Sequence, residues 1–426
     1  MNRRTFLGAG LSLGFASSLA GCATRLAPDG GPESPSTTTR DADSPFPPPP
    51  ADAPLGYTHV RPDGNRVVDG TGSLPDTDSV DLALDATPEW VVGVPHDDGV
   101  LLGVVTAAGA QAITVTDGTA TVVDLALDAP PGPPLLVGGS EPAFAPALGS
   151  VTTHPVPTIG GWASVTSEGV IRLPGGENAA IDAIPDARIV SAAGRLYVLA
   201  ARTRDYGHGV LGDDVEAGSV AVLDPTGGVE AELAPPSGVI EGIAPIVADV
   251  DGDGRREVVV TASDADRGAR LVALSESGPS LEGPAVGTRF RWRHQLAVAP
   301  FGPDGETELA VVKTPHIGGT AEFYRAIGGE LDLVAARDGY STHSIGSRNL
   351  DNAVAGDLDG DGRVELLVPD DPHRELAGLR RVEGGVDEMW RLSLGGRLTS
   401  NLCVVPDSDG VVVAAGRAGA LRVWVA

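Results

Sequence analysis

The stretch VADVDGDGRREVVV, residues 247–260, sets three aspartates on alternate residues, then a glycine, a glutamate and a run of valines. Counted from Asp249, acids stand at positions 1, 3, 5 and 9: Asp249, Asp251, Asp253 and Glu257, with Gly254 at position 6. Carboxylates crowded this closely repel one another unless a cation sits among them. Alternation in a tight loop turns successive carboxylates inward, and the glycine permits the bend. The carbonyl of Arg255, at position 7, adds a further oxygen. A set made only of hard oxygen donors suits Ca²⁺ better than a transition metal.

The pattern recurs in AVAGDLDGDGRVELLV, residues 353–368, where Asp357, Asp359, Asp361, Gly362, Arg363 and Glu365 repeat it position for position. Two copies, each leading into an apolar run, favour two calcium loops over two solvated Asp-Gly turns, which use the same residues. An EF-hand is excluded. Its bidentate Glu at position 12 is replaced by Val260 and Val368, and strand-forming residues follow in place of a helix. An acid at position 9 followed by a strand resembles the FG-GAP/VCBS repeat of integrin α-subunits. That resemblance implies an all-β propeller, each loop being the turn of a hairpin within a blade and each calcium structural. It is specific at 247–260 and 353–368 and weak over the rest of the chain.

The two loops lie 108 residues apart, and AVAPFGPDGETELAVV, residues 297–312, stands between them. It keeps Asp304, Gly305 and Glu308 but has Pro300 and Gly302 in place of the first two aspartates, so it reads as a decayed copy that retains the hairpin. Further strand-turn-strand units begin near Val92, Gly160, Ile189 and Val404. Inner strands are expected near 91, 150, 189, 246, 298, 354 and 403. From Leu55 onward, short apolar runs alternate with Gly, Pro and Asp turns, without helical periodicity. The expected fold is therefore an all-β propeller over 55–426, with about seven four-stranded blades of about 53 residues, six or eight remaining open. The segment Tyr57–Val68 is expected to close the ring by adding a strand to the last blade.

Residues 1–21 are an address. Arg3 and Arg4, followed by Phe6-Leu7, resemble a twin-arginine export signal, and Leu19-Ala20-Gly21-Cys22 resembles a lipobox. The apolar stretch between them is too short for an ordinary membrane span. These motifs imply export, lipid on Cys22 and attachment to the membrane at the cell surface. Residues 22–54, rich in Pro, Ser, Thr and Asp, read as a disordered linker able to reach ~100 Å at about 3 Å per residue.

The chain carries 58 acids against 30 bases, a net charge of −28, and Lys313 is its single lysine. Such a surface disfavours nucleic acid as a partner. Acid excess with arginine in place of lysine resembles the proteins of extreme halophiles. With Cys22 lipidated, Cys403 has no disulfide partner and reads as a buried small hydrophobe.

No P-loop or H-E-x-x-H motif is present. The eight histidines are scattered and read mostly as surface or turn residues. Three stretches stand out as blade loops or channel walls: 203–219 with His208, RFRWRHQ at 289–295 with Trp292 and His294, and SRNLDN at 347–352 with Asp351. Period-two alternation in RFRWRHQ reads as a strand, its arginines paired with neighbouring carboxylates. The functional expectation is a monomeric, lipid-anchored binding, adhesion or scaffold module with about two structural calcium ions. Its partner is a protein or glycan on the propeller face, and His208, Trp292, His294 and Asp351 are candidates for that face. The alternative is a secreted propeller enzyme, a glycan lyase, hydrolase or quinone dehydrogenase, with His208, His294 and Asp351 in the central funnel.

Overall fold

The computed structural model describes residues 47–97, 99–146, 153–408 and 410–426. Strands dominate, and a single 3-10 turn, Pro174–Gly176, is the one helical element among the described residues. Six four-stranded antiparallel units are formed by 88–123, 190–233, 239–282, 293–338, 354–393 and, with Ser79–Ala83 as the fourth strand, 398–425. Two small three-stranded sheets fill the remaining sector, one joining Leu55–Gly56, Leu136–Val137 and Ala143–Phe144, the other within 156–172. The inner strand expected near 150 falls in 147–152, outside the described residues.

The sequence shows why the blades stack. Middle strands such as Gly99–Thr106 (GVLLGVVT) are buried at every residue, because a neighbouring blade covers each face. Outer strands alternate, as Ser79–Ala83 and Gly385–Ser393 do, because one face meets water. Apolar clusters seal successive seams. Ile246 and Val259 meet Val298 and Leu309, Ala310 and Phe323 meet Ala355 and Leu366, and Leu367 and Leu376 meet Val404 and Val413. Val405 and Val412 then meet Val91 and Leu102, so the last blade packs on the first. Val92 and Leu101 meet Leu136, and a larger cluster runs from Leu135 through Val165 and Val190 to Val258. The seams form a closed ring, a β-propeller. Each fully buried Val, Leu or Ile along them contributes about 1.5–3 kcal/mol relative to exposure.

The ring is closed by a different segment from the one expected. Ser79–Ala83 pairs with Ala420–Val425 as the fourth strand of the last blade. Tyr57–Val68 instead enters the axis. Inner strands present unpaired backbone groups there, and such edges need partners. Pro62 O accepts from Ser191 N (2.7 Å), Asp63 O from Val247 N (3.0 Å), Asn65 Oδ1 from Val298 N (2.9 Å) and Arg66 O from Ala355 N (2.8 Å). One short segment thus satisfies an inner-strand N–H in each of four successive blades. Val67–Thr71 then runs parallel to Val354–Asp357. Part of the expected linker also docks: Pro47 O accepts from Trp162 Nε1 (2.8 Å), and Pro54 O from Gly138 N (2.8 Å).

Candidate functional site

The two acidic loops are hairpin turns, joining Val239–Ala248 to Glu257–Asp264 and Val354–Asp357 to Glu365–Pro369. Their scaffolding is the same. Asp249 accepts from Gly252 N (2.8 Å) and Gly254 N (3.0 Å), and Asp357 from Gly360 N (3.0 Å) and Gly362 N (3.2 Å). Glu257 accepts from Val250 N (2.9 Å) and Glu365 from Leu358 N (3.0 Å). Gly254 and Gly362 sit at φ 84° and 83°, the left-handed region that glycine enters without a Cβ clash. Donor oxygens of Asp249, Asp251 and Glu257 lie within 4.8 Å of one another, as do those of Asp357, Asp359 and Asp361. Both groups are all-oxygen sets able to hold a hard cation. Asp253 and Glu365 stand outside these groups. Asp253 is exposed and accepts from Arg255 N (2.7 Å). Arg363 N donates to Asp361 (3.1 Å).

The loops differ in what faces them. Glu365 pairs across the sheet with Arg380, whose guanidinium reaches Asp359 (2.7 Å), Asp361 (2.6 Å) and Glu365 (2.6 Å). Three of the four carboxylates there already have a cation. The pairing ends at Val258–Leu274, and continuing that register by one residue puts Ser275 at the position facing Glu257, so the first loop has no such arginine. Burial raises the Glu257 carboxyl, and Asp251, Asp249 and Asp253 raise it further against the pull of the Val250 N–H. The decayed loop follows the second pattern: Arg325 binds Glu306 (2.6 Å) and Glu308 (2.5 Å), and Arg381 binds Glu308 (2.9 Å). The donor set at 249–257 therefore fits a divalent ion as it stands, whereas that at 357–365 fits one only if Arg380 leaves.

The second constellation lies on the axis. Asp351 is fully buried between Arg188 (2.9 and 2.7 Å) and Arg66 (3.0 Å). Burial raises its carboxyl, but the two guanidiniums outweigh burial and hold it well below the usual carboxylate range. His59 and His154 stack beside it with centroids 5.1 Å apart, and His294 stacks on Trp292 at 5.0 Å. Burial pulls all three imidazoles below their ordinary value, His154 to about 4. Five of the eight histidines, His59, His154, His294, His343 and His373, are buried, against the expectation of surface or turn positions. His59, His154, His294 and His343 converge near the axis from segments distant in sequence, a relation that local spacing does not display.

The insertion 203–219 covers the opposite mouth from the acidic loops. Val210 O accepts from Gly346 N (2.9 Å), and Arg348 ties Asp213 (2.6 Å) to Asp186 (3.1 Å). Val210 and Leu211 pack on Ile243, Trp292 and Leu350. His208 Nδ1 meets Glu241 (2.5 Å), whose other oxygen accepts from Ser263 Oγ. Glu216 lies behind them, pushed up to about 9 by burial first and then by Glu241, Asp186 and Asp213. RFRWRHQ becomes strand only at Arg293. Phe290 takes φ 58°, its N–H donates to Tyr206 OH (2.7 Å), and Arg289 lies over its ring. Arg293 pairs with Glu322 (3.0 Å), as its reading as a carboxylate partner expects. His208, His316, His343, Trp292 and His294 form one chain of ring contacts with centroid spacings of 5.0–6.4 Å.

Plug and cover leave an axial cavity of about 10 Å³. Larger hollows open on the acidic-loop face. One of about 260 Å³ lies between 247–249 and 298–307 beside Arg61 and Arg256, and one of about 370 Å³ between 300–305 and Gly362–Arg363. Cys403 is buried between two blades, and burial pushes its thiol up to about 12. Arg3, Arg4 and Cys22 lie outside the described residues. Among the described residues no helix is long and apolar enough to cross a membrane.

No protein-family model matches the chain, and no curated protein matches it in sequence. Solved structures do match. Quinohemoprotein alcohol dehydrogenase from Comamonas testosteroni superposes with TM-score 0.52 at 11% identity, over 86% of this chain and 79% of that one. Virginiamycin B lyase from Staphylococcus aureus gives 0.40 at 11%, over 82% and 100%. The WD40 propeller domain of Doa1 gives 0.38 at 14%, over 82% and 95%. The fold is a β-propeller, and likeness at such identity speaks of fold alone.

Proposed function

We propose that this chain is an exported, lipid-anchored β-propeller that acts as a binding or scaffold module at the cell surface, with calcium as a structural ion. The observation that carries the reading is the filled axis. Residues 57–66 close the ring from the acidic-loop side and 203–219 from the other, and the cavity between them has room for about one water. A small-molecule site needs several hundred Å³. The hollows beside the acidic loops then become the partner-binding face, and Arg61, Arg256 and Arg363 give it donors for carboxylates or sugar hydroxyls. Calcium at 249–257 holds the first turn of that face rigid, so its binding free energy becomes folding free energy. Calcium at 357–365 competes with Arg380 and binds more weakly. The partner is a protein or glycan of the envelope, the anchor is lipid on Cys22, and the ring works as a monomer.

The test is retention on cell-envelope material. The parent chain is retained, and a variant with Arg61, Arg256 and Arg363 all changed to Glu loses at least ~10-fold while melting as the parent does. Prior protease or glycosidase treatment of the envelope identifies the partner class. Equal retention of the variant refutes this face. Cys22→Ser releases the protein into the medium if the anchor is correct.

The ring contacts from His208 to His294 favour a second reading, an enzyme whose funnel opens when 203–219 lifts. That reading requires turnover of a sugar or alcohol substrate to disappear in His208→Ala.

A further inference from the structure

The axial cavity is walled by His59, Arg66, Arg188, Trp292, His294 and Leu350, together with backbone of 242–245. Arg66 Nε, Arg188 Nε and Nη2, and Trp292 Nε1 are buried there without an acceptor. These atoms are donors in every protonation state open to them. A buried donor without a partner costs about 1–3 kcal/mol, and more when it carries charge. Four such donors around one small space mark a place where something accepts hydrogen bonds.

Charge decides what that is. Two guanidiniums face one carboxylate, and Asp351 already engages Arg66 Nη2 and Arg188 Nη1. Among the charged groups acting on His59, His154 and His294, Asp351 is the one acid. The imidazoles are held neutral by burial and by the arginines, so they add no charge. One positive charge is left over in a dry interior, where an uncompensated ion costs several kcal/mol. A water satisfies donors but leaves that charge standing. The cavity has room for about one water-sized particle, which favours a monatomic anion over sulfate, phosphate or a carboxylate.

We propose that the axial cavity is a binding site for one monatomic anion, a halide such as chloride, which balances the Arg66–Arg188–Asp351 cluster. The site is independent of the role assigned to the acidic-loop face. A halide accepts from Arg188, Arg66 and Trp292 together and cross-links the plug segment to the blade that begins at 293. His59 Nε2 and His294 Nε2, also without partners, are the wall atoms a water would serve better, so water is the competing occupant.

The test uses the full chain crystallised in sodium bromide, with diffraction collected at the bromine absorption edge. An anomalous peak in the cavity, in contact with Arg188 and Trp292, is the expected result. Melting is then compared in sodium chloride and sodium gluconate at equal ionic strength. Chloride raises Tm by a few degrees, and Trp292→Phe, which keeps the ring and removes the N–H, shrinks the difference. A cavity without anomalous signal, or bromide confined to the outer surface, overturns the proposal. Identical melting in the two salts also overturns it.

Discussion

Two loops of the same sequence, 249–257 and 357–365, fold alike and differ in their counter-charge. Both use the first aspartate to cap two glycine N–H groups and the glutamate to hold the N–H of the second loop residue. The loop pattern therefore encodes a turn. Whether that turn needs an outside cation is decided one strand away, by Ser275 in one blade and Arg380 in the other. The decayed loop extends the series, since it has lost two aspartates and gained Arg325. Arginine is one solution to this repulsion, present in two of the three loops, and a bound cation is the alternative open to the first.

The largest effect fixes the conditions under which the comparison can be read. His154 titrates near 4 in the fold against 6.5 unfolded, and a pKa unit is worth about 1.4 kcal/mol. Because the folded value is the lower one, its contribution is full above pH 6.5 and is lost as pH falls towards 4. That loss is about 3 kcal/mol for His154 alone, and His59 and His294 act in the same direction. Melting followed from pH 7.5 to 4.5 should drop equally with calcium and with chelator. A drop that occurs only in chelator would place the acid sensitivity in the loops instead.

At neutral pH the next effect is Arg380→Ser, which copies the first loop's arrangement into the second. With chelator, Asp359, Asp361 and the buried Glu365 are left without their cation, and the loss is about 3–5 kcal/mol. Calcium should restore most of it, and calorimetry should count one more tightly bound ion than in the parent. A variant as stable as the parent in chelator would mean that Arg380 is not the counter-charge.

Asp251→Ala comes third. It should remove most of the rise in Tm that calcium is expected to give the parent, about 3 kcal/mol at a hundredfold excess over Kd. Asp359→Ala should lower stability in calcium and chelator alike and leave the calcium response in place. Equal loss of the calcium response in both variants would show two equivalent ions and erase the distinction.

The sequence makes one half of this comparison legible. Alternating acids, the glycine and the following valines locate both turns, and the intervals between copies locate most inner strands. What it hides is set by pairing across distance. Ser275 and Arg380 lie 18 and 15 residues beyond the glutamates they decide between, and only the strand register brings them opposite. The axis was hidden for the same reason. Tyr57–Val68 has enough apolar residues to pass for a strand, yet Thr58, His59, Asn65 and Arg66 are buried polar groups that need partners from several blades at once. A closing strand needs alternation instead, and Ser79–Ala83 has it. Asp351 and His208 stand out in the sequence as loop residues and His294 as part of an alternating strand, but the burial of Asp351 and His294 at the axis follows from ring closure alone.

The smallest expected effect is also the most direct exchange of one solution for the other. Ser275→Arg sets a guanidinium opposite Glu257, where Arg380 stands opposite Glu365. Charge-assisted hydrogen bonds are worth about 1.5–3 kcal/mol each. Asp251 and Asp253 are more exposed than Glu257, so the net gain in chelator should fall at the low end, about 1–2 kcal/mol. Calcium should then add nothing, because the arginine occupies the position the ion would take. The combined measurement is sharper than either half. A variant that gains stability in chelator and loses its calcium response has traded metal for arginine. One that gains stability while still responding to calcium would show that the ion sits outside the reach of residue 275, and the opposing strand would then not be what separates the two loops.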